Sequence, residues 1–179
     1  MKIIKFNDMA VVKNIKVSVS SIMRLINKTP SCPMLDEKRS ISKTDVFVVD
    51  YTQKIYGVTF FEKVKSAVKE FGRLKNHSEI RISNYCFIKM KGKDQLDYHS
   101  SFESNFVGLF LLEAPEKNPS IIFYDNQTNK DINVKLKQGD LVMFPASVLR
   151  KLPELKTKKQ YTYIIFDFHL DRPRINVKK

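Results

Sequence analysis

The sequence predicts a mainly β domain, a sandwich or barrel, with one helix packed outside it and an irregular segment ahead of it. Three observations carry this. From Glu79 onward, short apolar stretches with a period of two recur at regular spacing between Gly, Pro, Asn and Asp turns. Ahead of them, one stretch has a helical period. The chain has 179 residues, 42% of them hydrophobic and 11% aromatic, which suits one globular domain with a real core.

Taken in order, residues 1–45 stand apart. They hold a β-branched stretch from Val11 to Val19, a short helical stretch near Ser21 to Asn27, and "TPSCPMLDEKRSISKTD", whose prolines and mixed charges read as irregular chain. This segment reads as an N-terminal arm, and residues 46–179 as the folded domain. "VFVVDY" (46–51) offers an early strand. In "TFFEKVKSAVKEFG" (59–72), Thr59 and Glu62 have capping-box spacing, Phe60, Phe61, Val64, Ala67, Val68 and Phe71 share a face, and Gly72 stands at the expected stop. Seven strands follow: "IRISNYCFIKMK", "FVGLFLLEA", "SIIFYD", "INVKL", "DLVMFP", "LRKL" and "YTYIIFDFHLD". Prolines in "APEKNPS", the Asp and Asn residues of "YDNQTNKD", and Gly139 in "KQGD" mark the turns. In the last strand Ile164, Phe166, Phe168 and Leu170 fall on one face, with Tyr161, Tyr163, Ile165, Asp167 and His169 on the other.

Charge and cysteine content narrow the function classes. The net charge of +13 favours acidic protein surfaces or non-specific contact with nucleic acid. The lysines are spread along the chain rather than clustered with aromatics, as a solvated surface would have them. Cys32 and Cys86 have neither disulfide-scaffold nor zinc-site spacing. No apolar run reaches membrane-spanning length and the N-terminus lacks a signal-peptide pattern, so the expected setting is neither membrane nor secreted. There is no Gly-rich phosphate loop, no G-x-S-x-G elbow and no Cys with an activating His. Asp36 and Glu37 read as solvated surface carboxylates, and His77 as a surface loop residue.

"IRISNYCFIKMKGKDQLDYHSSFESNFVGLFLLEAPEKNPSIIFYD", then "GDLVMFPASVLRKL" and "YTYIIFDF", resembles the phage and bacterial branch of the iron(II)/2-oxoglutarate-dependent oxygenases over residues 79–170. The resemblance implies a double-stranded β-helix, or jelly roll. It also implies a metal triad of a His-x-Asp-like pair and a distal His, with a basic side chain on the last strand for the cosubstrate. On this framework the first histidine maps onto His99, its partner onto Ser101, the distal histidine onto Arg150 and the cosubstrate position onto Tyr161. Ser101 is a poor iron ligand, and Arg150 is a permanent cation that would repel a metal. Asp97 and Glu103 would each need another register. A pairing of His99 with His169, 70 residues on, could draw on Asp97 or Asp171 as carboxylate and Arg172 or Arg174 beyond, but places the distal ligand a strand too late.

These departures imply a scaffold of the oxygenase type degenerate at its metal site, with no cofactor expected. Iron(II) and 2-oxoglutarate, with His99 as ligand, belong to the alternative of a divergent hydroxylase. A basic nucleic-acid-binding protein is the third class. The resemblance to phage-encoded members, with the Lys-, Ile- and Asn-rich composition, implies a virion structural or assembly component, in the virion or host cytoplasm, docking on neighbouring subunits through its arm and sheet edges. Tyr161 and Tyr163 are candidates for lining a pocket at the barrel mouth, although inward tyrosines also fill closed barrels.

Overall fold

Alternation along the chain decides which side chains each strand buries, and here it produces two cores. The computed structural model describes residues 2–4, 10–35, 39–101, 104–114, 119–154 and 157–173. Among them are the strands β1 (Lys2–Ile4), β2 (Ala10–Asn14), β3 (Cys32–Leu35), β4 (Arg39–Thr44), β5 (His77–Gly92) and β6 (Gln95–His99). The chain continues through β7 (Phe106–Glu113), β8 (Ser120–Asp125), β9 (Lys130–Lys135), β10 (Asp140–Pro145), β11 (Arg150–Leu152) and β12 (Thr157–Pro173). Two helices, α1 (Val19–Ile26) and α2 (Tyr56–Leu74), complete the fold.

All strand pairs are antiparallel, and the last eight strands form two four-stranded layers, β10-β7-β12-β5 and β6-β11-β8-β9, with β4 bridging β5 to β6. This is a double-stranded β-helix. Between the layers lies one core, with Ile88, Leu109, Phe123, Phe144, Tyr161 and Tyr163 among its members. On the outer face of the larger layer lies a second, where Phe60, Val64 and Phe71 of α2 meet Phe110, Phe166 and Phe168. The alternation expected for β12 accounts for both: Tyr161 and Tyr163 point into the barrel, and Ile164, Phe166, Phe168 and Leu170 point toward the helices.

Several sequence expectations change. Within the N-terminal segment, residues 10–35 and 39–45 pair with or pack on the barrel and its helix. β2 pairs with β10 in register Val12 to Val142, and Val11, Ile22, Ile26 and Ile41 are fully buried. Lys13 also forms an ion pair with Glu70 of α2. A β-branched stretch with mixed neighbours builds a good strand once partners are supplied, and β2 finds them in β1 on one side and β10, far along the chain, on the other. "VFVVDY" is not a strand; it forms a turn leading to a short 3-10 helix at Tyr51–Gln53. The eighth barrel strand is instead β6, whose alternation is interrupted by an irregularity in its pairing with β11.

Helix α2 starts three residues before Thr59, with Ile55 at the N-cap and no side-chain cap, so the Thr59/Glu62 spacing is not used as a capping box. It also runs past Gly72. Gly72 is a packing residue, where an added Cβ would lie 3.2 Å from Ile80 Cδ1, and Asn76, at φ 61°, makes the left-handed exit. Asn129 and Gly139 have positive φ, as the turn reading requires. "APEKNPS", Asp36 and Glu37 fall wholly or mostly outside the described residues.

The segment after β4 is held by a buried polar knot. Asp45 accepts from the Phe87 amide (2.7 Å) and the Tyr56 hydroxyl (2.9 Å), while Lys54 donates to the Tyr85 carbonyl (2.7 Å). Buried polar groups need such partners, so the knot fixes where α2 begins.

Candidate functional site

The barrel mouth is built where β6, β11 and the bend after β10 come together. Regular alternation would not place Leu96 and His99 on one face, since they are three residues apart. Both face the interior side of β11 because two residues of β6, Asp97 and Tyr98, lie opposite the single Lys151, a β-bulge. Tyr98 is thereby left outside, with the Lys151 ammonium 4.2 Å above its ring. His99 pairs with Arg150. Its Nδ1 lies 2.7 Å from the Asp97 carbonyl, which can only accept, so Nδ1 carries the proton.

Arg150 is 5% exposed. Its Nη2 donates to Ser101 Oγ at 2.7 Å, and its guanidinium sits 5.2 Å from the centre of the Phe144 ring. Phe144 in turn packs edge-on against Phe123 at 4.9 Å, so two aromatic rings floor the site. Burial lowers the Arg150 pKa to about 10, and the Asp167 carboxylate pulls it back up. Arg150 therefore remains a cation at neutral pH. Asp167 is held in turn by Ser104, whose hydroxyl donates to Oδ1 at 3.1 Å. The backbone fixes this arrangement: the Ser101 amide donates to the Ala146 carbonyl and the Ala146 amide to the Asn105 carbonyl, both at 2.9 Å.

The positions mapped from sequence thus meet in space, His99, Ser101 and Arg150 at one point on the mouth. Tyr161 and Tyr163 lie in the interior. They are 3% and 1% exposed, belong to the core between the layers, and burial raises the Tyr163 phenol well above its ordinary value. The sequence reading missed Asp167 and Ser104 as site residues. Asp167 was legible, being a charged residue on the inward face of an otherwise apolar strand; Ser104 was not, because its role depends on a loop conformation.

His169 does not approach His99 through a shared partner: its Nδ1 contacts the Asn105 side chain at 3.0 Å, and Asp171 pairs with Arg81 at 3.3 Å. Asp97 is exposed. Glu103 and Arg174 lie outside the described residues, as does the Arg172 side chain. His77 is not a loop residue; it opens β5, half-buried, and its Nδ1 has no hydrogen-bond partner among the described residues. Cys86 is half-buried with its thiol pushed up to about 12 by burial, and Cys32 is exposed.

Among the described residues, which leave out Glu103, the donor set at the mouth does not fit an iron(II) ion. A facial triad needs two imidazoles and a carboxylate on one side of the metal. Here one imidazole, His99, pairs with Arg150, whose guanidinium is hydrogen-bonded to Ser101. Among the described residues, no group of three His, Cys, Asp or Glu side chains converges to hold a metal. No described helix is long and apolar enough to cross a membrane.

No family model and no curated protein matches the chain. Solved structures share its fold. An oxidoreductase of the 2OG-Fe(II) oxygenase family from Burkholderia pseudomallei superposes with a TM-score of 0.73 at 11% identity, covering 93% of this chain and 88% of that one. The non-heme alpha-ketoglutarate-dependent epimerase SnoN of nogalamycin biosynthesis gives 0.68 at 10% identity, over 94% and 80%. The viral collagen prolyl hydroxylase of Paramecium Bursaria Chlorella virus-1, solved as its 2-oxoglutarate complex, gives 0.57 at 12% identity, over 89% and 94%. The chain is thus similar in fold to these enzymes across nearly its whole length.

Proposed function

We propose that this chain uses an oxygenase-type jelly roll for protein binding rather than catalysis, as a structural or assembly component of a phage particle. One observation supports this reading above the others. The guanidinium of Arg150, the residue that the sequence resemblance maps onto the distal histidine, is buried, bonded to Ser101 and flanked by the Asp167 carboxylate. A cation fixed there opposes a second cation by Coulomb repulsion that low dielectric strengthens. The Arg150, Ser101 and Asp167 set instead stitches the smaller layer to the end of β12, closing the mouth with polar contacts. The composition supports a viral setting, and the Lys-rich surface suits acidic partner subunits.

A second reading, a divergent iron(II)/2-oxoglutarate hydroxylase, draws on the structural neighbours being an oxidoreductase and a prolyl hydroxylase and on His99 and Asp167 both belonging to the mouth. Anaerobic iron(II) titration with and without 2-oxoglutarate, followed by the visible charge-transfer band and bound metal, separates them. The expected result is no binding above background for wild type or His99→Ala. Micromolar binding that His99→Ala abolishes would establish the hydroxylase and overturn the non-catalytic reading.

A further inference from the structure

The face of the molecule remote from the barrel interior carries an open groove beside the outer core. It runs between α2 and the first half of β5, has a volume of about 380 Å³, and is walled by Val58 and Phe61 on the helix and Ile80 and Ile82 on the strand. Val58 is 74% exposed. A β-branched residue at an exposed helical site is worse than Ala, Lys or Glu by roughly half a kcal/mol, so the helix itself gains nothing from Val58. The buried stripe of α2, with Tyr56, Phe60, Val64 and Phe71, supplies the contact with the sheet, joined by one edge of the Phe61 ring against Tyr85 and Phe166. Val58, Phe61, Lys65 and Lys69 form a second stripe at helical spacing beside it.

Charge decides what this stripe fits. Lys65 and Lys69 border the groove against a single acidic residue, Glu62. A second copy of the chain would bring these lysines together across the contact, on molecules that each carry +13. Nucleic-acid interfaces are strongly polar, and an apolar floor does not match them. From Val58 to Lys69 the helix rises about 17 Å, the reach of about five residues of extended chain. We infer that the α2–β5 groove docks a short segment of a partner protein that seats two apolar side chains between carboxylates. The groove lies on the other side of the major layer from Arg150, so this inference holds whichever reading of the barrel mouth is correct.

A random peptide display library panned against the full-length chain, with counter-selection on Val58→Asp, tests it. The expected enrichment is of peptides with Asp or Glu beside paired apolar residues. Their affinity by fluorescence anisotropy should fall about tenfold in Val58→Asp and in Lys65→Glu/Lys69→Glu, and should weaken as salt is raised. Near-ultraviolet circular dichroism verifies that both variants keep the native fold, as their exposed positions require. Enrichment of neutral or basic peptides, or of none that depends on Val58, would overturn the inference. So would competition for the groove by oligonucleotides, or a concentration-dependent dimer that Val58→Asp abolishes.

Discussion

Arg150 illustrates how a single residue sets what its surroundings are capable of. On the proposed reading its guanidinium fills ligand space, so replacing it should open that space: Ser101→Asp with Arg150→His supplies a carboxylate and a second imidazole beside His99. The double variant is expected to bind iron(II) where wild type does not, measured by the same anaerobic titration. A null result would mean that the backbone at β6 and β11 no longer holds ligand geometry. Ser101→Ala alone removes an acceptor from a buried cation, and should cost about 1–3 kcal/mol in urea unfolding. At Asp45, burial holds the carboxyl above its ordinary 3.8, against the pull of the Phe87 amide and the Lys54 ammonium. The folded state therefore binds this proton more tightly than the unfolded chain does. The resulting stability is fully present below 3.8 and is lost as pH rises through the folded pKa. Relative to Asp45→Asn, wild type should lose stability over that window; a difference that grows with pH instead would mean that Lys54 dominates.

At the scale of elements, close approach between strands is a constraint the sequence hides. Gly108 of β7 pairs with Phe166 of β12, and a Cβ at Gly108 would overlap the Phe166 ring. Gly108→Ala should therefore destabilise by about 1–3 kcal/mol, with partial rescue by Phe166→Leu, read from denaturant midpoints. An unrescued loss would point to backbone strain instead. Strands such as β7, β8, β10 and β12 were legible because their apolar runs sit between strong turn residues, and the inward face of β12 was legible from alternation. β6 was not, since its bulge breaks the period that marks a strand. The end of α2 was misplaced because glycine commonly stops helices. Here Gly72 serves side-chain packing against Ile80, and Asn76 takes the left-handed conformation. At the site, residue types alone picked out His99, Ser101 and Arg150, while the contact between Arg150 and Ser101 needed the register of β11 against β6.

For the whole molecule, the decisive fact is that the chain's first quarter closes the fold. Val11, Ile22, Ile26 and Ile41 are buried, and Asp45 anchors the polar knot. Burying such side chains contributes about 1.5–3 kcal/mol each. Their sum is comparable with the ~5–15 kcal/mol that separates folded from unfolded domains. Deleting residues 1–45 should therefore abolish cooperative unfolding rather than merely weaken partner binding. A truncated chain that stays soluble and melts as one unit would show that β5 to β12 stand alone.

The surplus residue in β6 reaches further than strand geometry. Shortening the strand by removing Asp97 would let β6 pair regularly while His99 stayed indoors, yet it would take away the carbonyl that now receives the ring's proton. The ring would then lose the acceptor that now fixes its tautomer beside Arg150. One extra unit of chain length decides which ring nitrogen of His99 holds the proton.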